Sequence, residues 1–279
     1  MVRTVYAPAK INLYLEVCGR RADSYHELGM VMQRISLCDR LELTIGGAPG
    51  VRVTCPGLEL VAGEENIAAR AARAMVSRLS QPIGIDIAIE KQIPAAAGLG
   101  GGSSDAAAVL LALNDLLGLG LEPHALMGEG VKLGADVPFF IFGQSAWATG
   151  IGERLAPFPL PPFWCVLVNP PLAVSTAWVY QNLRLTSPGE PAKMPRFPRT
   201  TAELVALLRN DLERVTVARY PLLAEIKEAL RAGGAIGTLM SGSGPTVFGL
   251  FAQEATARSA AESLGRAHPA WRIFVTYPL

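Results

Sequence analysis

The chain has 279 residues, of which 50% are apolar and 18% are charged, so it can bury a sizeable core and its length favours two domains. Its net charge is +1 and no block of like charges occurs, which argues against a nucleic-acid groove or an acidic tail. No apolar run reaches the length of a membrane span. We therefore expect a soluble globular protein with neither nucleic acid nor membrane as a partner.

The cysteines and the N-terminus bear on the cellular compartment. Four cysteines lie far apart without paired spacing, which favours reduced thiols over disulfides or a metal site. The N-terminal residues alternate in polarity and include Lys10, which does not fit the apolar core of a signal peptide. The expected location is the cytoplasm, and the absence of a transit-peptide pattern favours a bacterial source.

The first part of the chain alternates between strand and helix patterns. Period-two alternation predicts strands at 10–17, 40–45, 51–54 and 83–89. Helical spacing predicts helices at 66–79 and 123–133, and a third that follows a glycine-rich segment and ends at about residue 117. Residues 139–147 are apolar and resemble a strand in part.

A cluster of four prolines at 154–163 predicts a domain boundary, giving an N-terminal lobe at 1–155 and a C-terminal lobe at 156–279. In the second lobe, strands are predicted at 164–168, 236–240, 246–251 and 272–276. Helices are predicted at 176–183, 201–210, 221–232 and 254–264, and a proline-rich surface loop at 187–199. Strands and helices interleave in both lobes, which indicates an α+β fold.

The glycine loop (residues 94–104) lies between a predicted strand and a predicted helix. Unpaired amides at a helix N-terminus carry partial positive charge, and glycine lets the backbone approach a phosphate closely. The pattern therefore favours a phosphate cradle. Ser103 or Ser104 could cap the helix or offer a hydroxyl to phosphate or metal. A glycine hinge before a capped helix is the alternative.

Other glycine motifs do not fit the loop. The dinucleotide fingerprint needs a third glycine where Ser103 stands. A Walker loop needs a lysine at its end, and none follows Lys91 within this stretch. A protein-kinase glycine loop would join two strands, and the hydrolase elbow G-x-S-x-G is missing.

Three further sequence features strengthen the hypothesis of a phosphate-binding site. Lys10 and Asn12 share one face of a predicted strand and suit phosphoryl binding, although a solvated strand face is an equal alternative. Asp136 follows a helix-ending glycine and suits either a helix cap or a proton acceptor for an alcohol. A second run, MSGSGPTVFGLF from Met240, could be a tight turn or could close over the same phosphates.

Together these motifs resemble those of a known family. PAKINL, PAAAGLGGGSSDAA, LGADVPFF and MSGSGPTVF occur in the order and spacing typical of small-molecule kinases of the GHMP superfamily. The resemblance implies a two-lobed α+β fold, with an N-terminal lobe like ribosomal protein S5 domain 2 and a ferredoxin-like C-terminal lobe. It also implies ATP as co-substrate with Mg²⁺.

A narrower resemblance rests on DSYHELGMVMQRISLCD and STAWVYQNL. These segments are similar to the branch that phosphorylates the C2 hydroxyl of 4-(cytidine 5′-diphospho)-2-C-methyl-D-erythritol in non-mevalonate isoprenoid synthesis. Ser24 departs from the glycine usual there. Small-molecule substrates and a monomer or weak homodimer are expected, and a homoserine, mevalonate or sugar kinase is the alternative activity.

The resemblance also implies roles for individual residues. Lys10 and Asp136 would be the catalytic pair, and Ser104 is a candidate metal ligand. The cytidylyl substrate would contact Asn12, Tyr25, His26, Thr176 and Tyr180, with Tyr25 and Tyr180 stacking on the base. ATP would contact Asn66, Pro94, Ala95, Ala96, Ala97, Gly98, Leu99, Gly100, Gly101, Gly102, Ser103 and Ser104.

Overall fold

The computed structural model describes residues 1–23, 25–57, 65–184 and 192–279. Ser24, where the sequence departs from the family pattern, lies outside the described residues. So does the first part of the predicted loop at 187–199.

The described strands run in chain order from β1 to β11. Two of them are unusually long, because β1 and β2 each extend over about twenty residues. The strands are β1 (Val2–Arg20), β2 (His26–Ile45), β3 (Gly50–Thr54), β4 (Gly84–Glu90), β5 (Ala146–Gly150), β6 (Arg154–Pro157), β7 (Trp164–Asn169), β8 (Arg209–Asn210), β9 (Gly237–Met240), β10 (Val247–Phe251) and β11 (Arg272–Thr276).

The described helices follow the same chain order. They are α1 (Ile67–Val76), α2 (Gly101–Leu116), α3 (Pro123–Leu133), α4 (Val137–Phe142), α5 (Thr176–Asn182), α6 (Thr201–Leu207), α7 (Glu213–Arg219), α8 (Leu222–Ala232) and α9 (Glu254–Ala267).

The chain forms two compact units that are discontinuous in sequence. Unit 1 contains residues 1–9, 37–95 and 100–143, and unit 2 contains residues 10–36, 96–99 and 144–279. The predicted division into lobes at residue 155 remains a prediction. It differs from this division because β1, β2 and the glycine loop each contribute residues to both units.

Unit 1 packs helices α1 to α4 with a small sheet. In it β4 pairs antiparallel with the second half of β2 and parallel with β3. The small alanines of α1 (Ala68, Ala71, Ala72) are fully buried and let α2 approach closely. Because Ile85, Ile87 and Ile89 alternate along β4, their side chains fill the core on one face.

Unit 2 contains a four-stranded antiparallel sheet in the order β11–β7–β10–β9. Strand β7 is a continuous apolar run, and its residues Cys165 to Val168 are fully buried. Helices α8 and α9 pack against this sheet through Leu223, Ile226, Leu230 and the alanines of α9. The first half of β2 pairs with β5, which pairs with β6, and β1 pairs with β8.

Most predicted elements are present, with shifts of a few residues at their ends. The strand-like reading of 139–147 was wrong at its start, because Val137–Phe142 form helix α4 and β5 begins only at Ala146. Part of the proline cluster, Arg154–Pro157, forms strand β6 on the edge of a sheet. Proline is tolerated there because one side of an edge strand needs no ladder donors. Helix α7 was not predicted.

Two structural features complete the description. None of the described helices is both long and apolar enough to traverse a lipid bilayer. None of the four cysteines, all of which lie in the described part of the chain, forms a disulfide; Cys18 and Cys165 are buried, and Cys38 and Cys55 are partly so. Burial raises the pKa of the Cys165 thiol far above its ordinary value.

Candidate active site

The glycine loop ends in the first turn of α2. Gly100 is the N-cap residue with φ +70°, and no side chain caps the helix. The first amides of α2 therefore have no side-chain acceptor at the N-cap, which leaves them available to an anion. Gly102 is exposed to solvent at this point. The expectation that Ser103 or Ser104 caps the helix was wrong, because both lie within its first turns.

Ser104 is the second notable group at this helix start. Its side chain is 1% exposed, and its Oγ has no hydrogen-bond partner among the described residues. A buried hydroxyl without a partner costs free energy, so a ligand oxygen or a cation at this position would satisfy it. The described residues contain no cluster of three His, Cys, Asp or Glu side chains that could hold a metal ion. The Ser104 hydroxyl is an oxygen donor of the kind that Mg²⁺ accepts, so it fits as one protein oxygen beside nucleotide phosphates.

Asp136 lies in the same unit, two residues after Gly134. A Cβ atom built on Gly134 would lie 3.5 Å from Ser103 Oγ, so the Gly134–Asp136 turn runs close to the first turn of α2. Asp136 precedes α4, but its side chain does not cap that helix. The capping alternative is therefore wrong, and the residue is half-buried.

Asn66 has a structural role that the sequence did not specify. It is the N-cap of α1, and its Oδ1 accepts the Ala68 N–H at 2.9 Å. The next residue, Ile67, lies close to the helix start, 3.5 Å from a Cβ built on Gly102. Unit 1 thus brings Asn66, Ser103 and the Asp136 turn together.

The tip of the glycine loop, residues 96–99, belongs to unit 2. Ala96 has φ +50° and Gly98 has φ +76°, so the backbone is in the left-handed region twice in three residues. An alanine in this region is strained by ~1–2 kcal/mol. The Lys10 N–H donates to the Leu99 carbonyl at 2.9 Å, which fixes the tip against β1.

Lys10 and Asn12 are buried side by side on β1. Their side chains are 5% and 1% exposed, and Lys10 Nζ donates to Asn12 Oδ1 at 2.5 Å. The alternative of a solvated strand face was therefore wrong. Because Ile11 and Leu13 are also fully buried, β1 is buried on both faces here. A lysine side chain in such poorly solvated surroundings interacts strongly with an anionic ligand.

The serine-glycine loop (residues 241–245) supports the tip. Ser241 Oγ donates to the Gly98 carbonyl at 3.0 Å and accepts the Asn12 N–H at 3.4 Å. The Asn210 side chain donates to the carbonyls of Met240 and Gly242, both at 2.8 Å. Sequence reasoning missed Ser241 and Asn210. The MSGSGP motif signalled the first, but nothing in the sequence signalled the second.

Thr176 is also bonded to the serine-glycine loop. It is the first residue of α5, and its hydroxyl lies 2.8 Å from Ser243 Oγ. Unit 2 thus gathers Lys10, Asn12, Thr176 and the tip of the glycine loop around one serine-glycine loop.

The predicted base clamp is only partly preorganised. His26, the first residue of β2, stacks on Tyr180 with ring centroids 4.9 Å apart and an interplanar angle of 25°. Direct contact at this distance leaves no space for a base between those two rings. Burial, and then the charge of Arg20, lower the pKa of His26, so the neutral imidazole is favoured near neutral pH. Tyr25 is 58% exposed.

Comparison with known proteins assigns the fold to a family. Residues 66–144 match the GHMP kinases N terminal domain, and residues 198–270 match the GHMP kinases C terminal domain. A protein of Syntrophotalea carbinolica named 4-diphosphocytidyl-2-C-methyl-D-erythritol kinase is 60% identical over 98% of both chains.

Solved structures agree with this assignment. The crystal structure of a 4-(cytidine 5′-diphospho)-2C-methyl-D-erythritol kinase superposes with a TM-score of 0.82 at 41% identity, covering 99% of this chain and 100% of that one. A homoserine kinase from Cytophaga hutchinsonii superposes with a TM-score of 0.71 at 20% identity, covering 100% of this chain and 94% of that one, which shows the common fold alone. This chain therefore belongs to the GHMP kinase family of ATP-dependent phosphotransferases, with ATP as its co-substrate and a small molecule as its acceptor.

Proposed function

We propose that this protein transfers the γ-phosphoryl group of ATP to the C2 hydroxyl of 4-(cytidine 5′-diphospho)-2-C-methyl-D-erythritol. The observation that carries the proposal is the 60% identity, over 98% of both chains, to a relative that bears the name of this kinase. The homoserine kinase match is much weaker, at 20% identity. It shares the fold without favouring its substrate for this chain.

The proposal assigns the nucleotide to the glycine loop. The uncapped start of α2 supports this role, because its free amides and the helix dipole favour a phosphate. Asn66 would lie near the adenosine. Ser104 Oγ would contact a phosphate or Mg²⁺, which supplies charge neutralisation on the phosphates when bound.

The proposal assigns the chemistry to Asp136 and Lys10. Asp136 would accept or orient the proton of the acceptor hydroxyl, and the approach of the Gly134–Asp136 turn to the first turn of α2 supports this role. Lys10 would offset negative charge on the transferred phosphoryl group. Its burial beside Asn12 strengthens that charge interaction, because the surroundings are poorly solvated.

The proposal assigns the acceptor to residues of unit 2. Asn12 and Thr176 would contact the methylerythritol diphosphate end. The cytosine would stack between Tyr25 and Tyr180. His26 would have to leave its stack on Tyr180, or turn within it, to offer a ring nitrogen to the base.

A coupled assay with ATP and the purified cytidylyl substrate tests the proposal. We expect turnover with this acceptor and none with homoserine, mevalonate or sugars. Turnover with one of those acceptors instead would refute the assignment. The Tyr25→Ala variant should raise the KM for the cytidylyl substrate and leave the KM for ATP unchanged.

The catalytic assignment is tested separately with Asp136→Ala. Turnover should fall by orders of magnitude while the Kd of an ATP analogue stays nearly constant, because Asp136 acts on the hydroxyl and not on the nucleotide. The matched control is Asp115→Ala, which removes an exposed carboxylate paired with Arg3. A turnover of Asp136→Ala close to that of the control would show that Asp136 is not the base.

Two further expectations accompany this proposal. We place the enzyme in the cytoplasm, and we expect a monomer or weak homodimer. Sedimentation velocity over a range of concentrations measures the second.

A further inference from the structure

Unit 1 contains a buried cluster of three charged side chains that the proposed reaction does not use. Lys91 directly follows β4, Asp39 lies in β2, and Asp105 lies in the second turn of α2. Their side chains are 15%, 0% and 5% exposed. Such desolvated charges are costly, so their presence needs a physical explanation.

The cluster holds both ends of the glycine loop. Lys91 Nζ donates to the carboxylates of Asp39 and Asp105, the second at 2.8 Å. The other oxygen of Asp39 accepts the N–H groups of Gln92 and Ile93 at 2.7 and 2.9 Å. The Lys91–Asp105 ion pair thus joins two residues that are 14 positions apart and lie on either side of the glycine loop. The amides of Gln92 and Ile93, at the start of this segment, are bound to Asp39.

The cluster also bears directly on the start of α2. A Cβ atom built on Gly101 would lie 3.0 Å from Ile93 Cγ2 and 3.3 Å from Lys91 Nζ. Gly101 and Asp105 are four residues apart, so they lie on the same face of the helix. The ammonium of Lys91 is therefore packed against the first turn and bonded to the second.

We propose that Lys91, anchored by Asp39 and Asp105, is a positioning residue for ATP that fixes the glycine loop and the first turn of α2 in their phosphate-binding arrangement. The inference rests on the proposed assignment of the nucleotide to this loop. If the phosphate-binding loop is ordered before binding, no entropy is lost in ordering it when the nucleotide binds, and the affinity is higher.

The net charge of the cluster distinguishes a positioning role from direct electrostatic attraction of the nucleotide. With both carboxylates ionised the cluster carries −1, which disfavours a nearby triphosphate. The thiol of Cys55 is a further titratable group near these charges.

The variant Asp105→Ala distinguishes the two roles, because they predict different changes in nucleotide affinity. It removes the tie between Lys91 and α2, yet it leaves Lys91 paired with Asp39, so no buried charge is stranded. Electrostatics alone does not predict weaker nucleotide binding, because the variant loses a carboxyl group and gains no negative charge. Positioning predicts weaker binding, and we expect the Kd of ADP or a non-hydrolysable ATP analogue to rise ~10-fold, equivalent to about 1.4 kcal/mol. Calorimetry on the full chain without acceptor measures it.

The variants Lys91→Met and Lys91→Arg test the lysine itself. The first should raise the KM for ATP and leave the KM for the acceptor unchanged, and the second should restore most of the affinity. The matched control is Lys227→Met, which breaks another partly buried lysine pair, Lys227–Glu213 at 2.6 Å. The control should lower the Tm without changing the Kd of the nucleotide.

Unchanged or tighter nucleotide binding by folded Asp105→Ala would overturn the inference. Equal changes in both KM values for Lys91→Met would do the same, since they indicate general disruption. If Lys91→Met does not fold, the calorimetric result for Asp105→Ala still decides. Failure of the proposed function would appear separately, as wild-type protein that binds ATP but does not phosphorylate the cytidylyl substrate.

Discussion

Two glycine-rich segments of similar composition have opposite environments in this protein. The glycine loop is partly exposed, with solvent reaching Ala95, Ala96 and Gly102, and it leads into a helix. The serine-glycine loop is buried throughout and joins two strands, β9 and β10. In the glycine loop, part of the backbone is accessible to solvent and to a ligand. In the second, the hydroxyls of Ser241 and Ser243 are bonded to Gly98 and Thr176.

The difference shows that glycine content does not identify a phosphate site by itself. A helix that follows the glycines leaves unpaired amides, whereas a strand that follows them pairs its amides in a ladder. The serine-glycine loop therefore acts as a support for the glycine loop. Substitutions in the two segments should therefore have different effects on stability and nucleotide binding.

The largest effect is expected from Gly98→Ala. Gly98 has φ +76°, and a Cβ built on it would lie 2.2 Å from the Ser241 carbonyl oxygen. We expect destabilisation by ~1–2 kcal/mol from backbone strain and a further ~1–3 kcal/mol from overpacking, with loss of nucleotide binding. Denaturant unfolding and calorimetry measure these effects.

Gly118→Ala is the matched control for this variant. Gly118 has φ +61° but no atom within 4 Å of the added Cβ, so only the strain of ~1–2 kcal/mol should appear. Equal losses in the two variants would mean that contact with the serine-glycine loop does not matter.

The second effect concerns pH, because a titratable cluster lies behind the glycine loop. The pKa of Asp105 is about 7 in the folded protein against an ordinary value of 3.8, mainly through burial. The folded state therefore binds this proton more tightly than the unfolded state. The resulting stability is fully present below about pH 4 and is lost as the pH rises through 7, on the order of a few kcal/mol.

Asp105→Asn should remove this dependence. Unfolding free energies of both proteins at about pH 5 and about pH 8 provide the test. If the variant shows the same decline as wild type between these pH values, Asp105 does not titrate as stated.

Ser241→Ala should have a moderate effect. It removes the hydroxyl that donates to the Gly98 carbonyl, which costs ~1–3 kcal/mol if that carbonyl is left without a partner. Steady-state kinetics should show a raised KM for ATP. Ser243→Ala, in the same loop, should instead raise the KM for the acceptor, because Ser243 contacts Thr176. An identical kinetic change in the two variants would contradict separate roles for these serines.

The smallest effect is expected from Ala96→Gly. Glycine relieves ~1–2 kcal/mol of strain at φ +50°, and this gain is partly offset by ~0.4–1 kcal/mol of added unfolded-state entropy. The Tm should stay level or rise slightly. Ala95→Gly, at an exposed neighbour without that backbone strain, should only lower it. A clear loss of stability in Ala96→Gly would show that the positive φ is not strained.

Elements with strong local sequence patterns were predicted more accurately than elements with weak patterns. Helix α3 and strand β11 were predicted with their observed ends, because their spacing and flanking residues agree. Helix α4 was misread in part because VPFFIF has no periodicity that separates a short buried helix from a strand. The half of β2 that begins at His26 was not predicted, since YHEL lacks the alternation typical of a strand.

The sequence by itself determined the family, the α+β class and the positions of the glycine loop, Lys10 and Asp136, because motif order and local periodicity are properties of the chain. Only the tertiary structure showed that Lys10 and Asn12 are buried, that Ser241 supports Gly98, and that Lys91 ties the ends of the glycine loop. Burial and pairing depend on residues far apart in sequence, such as Asp39 and Lys91. Local patterns carry no information about which distant charges meet in the core.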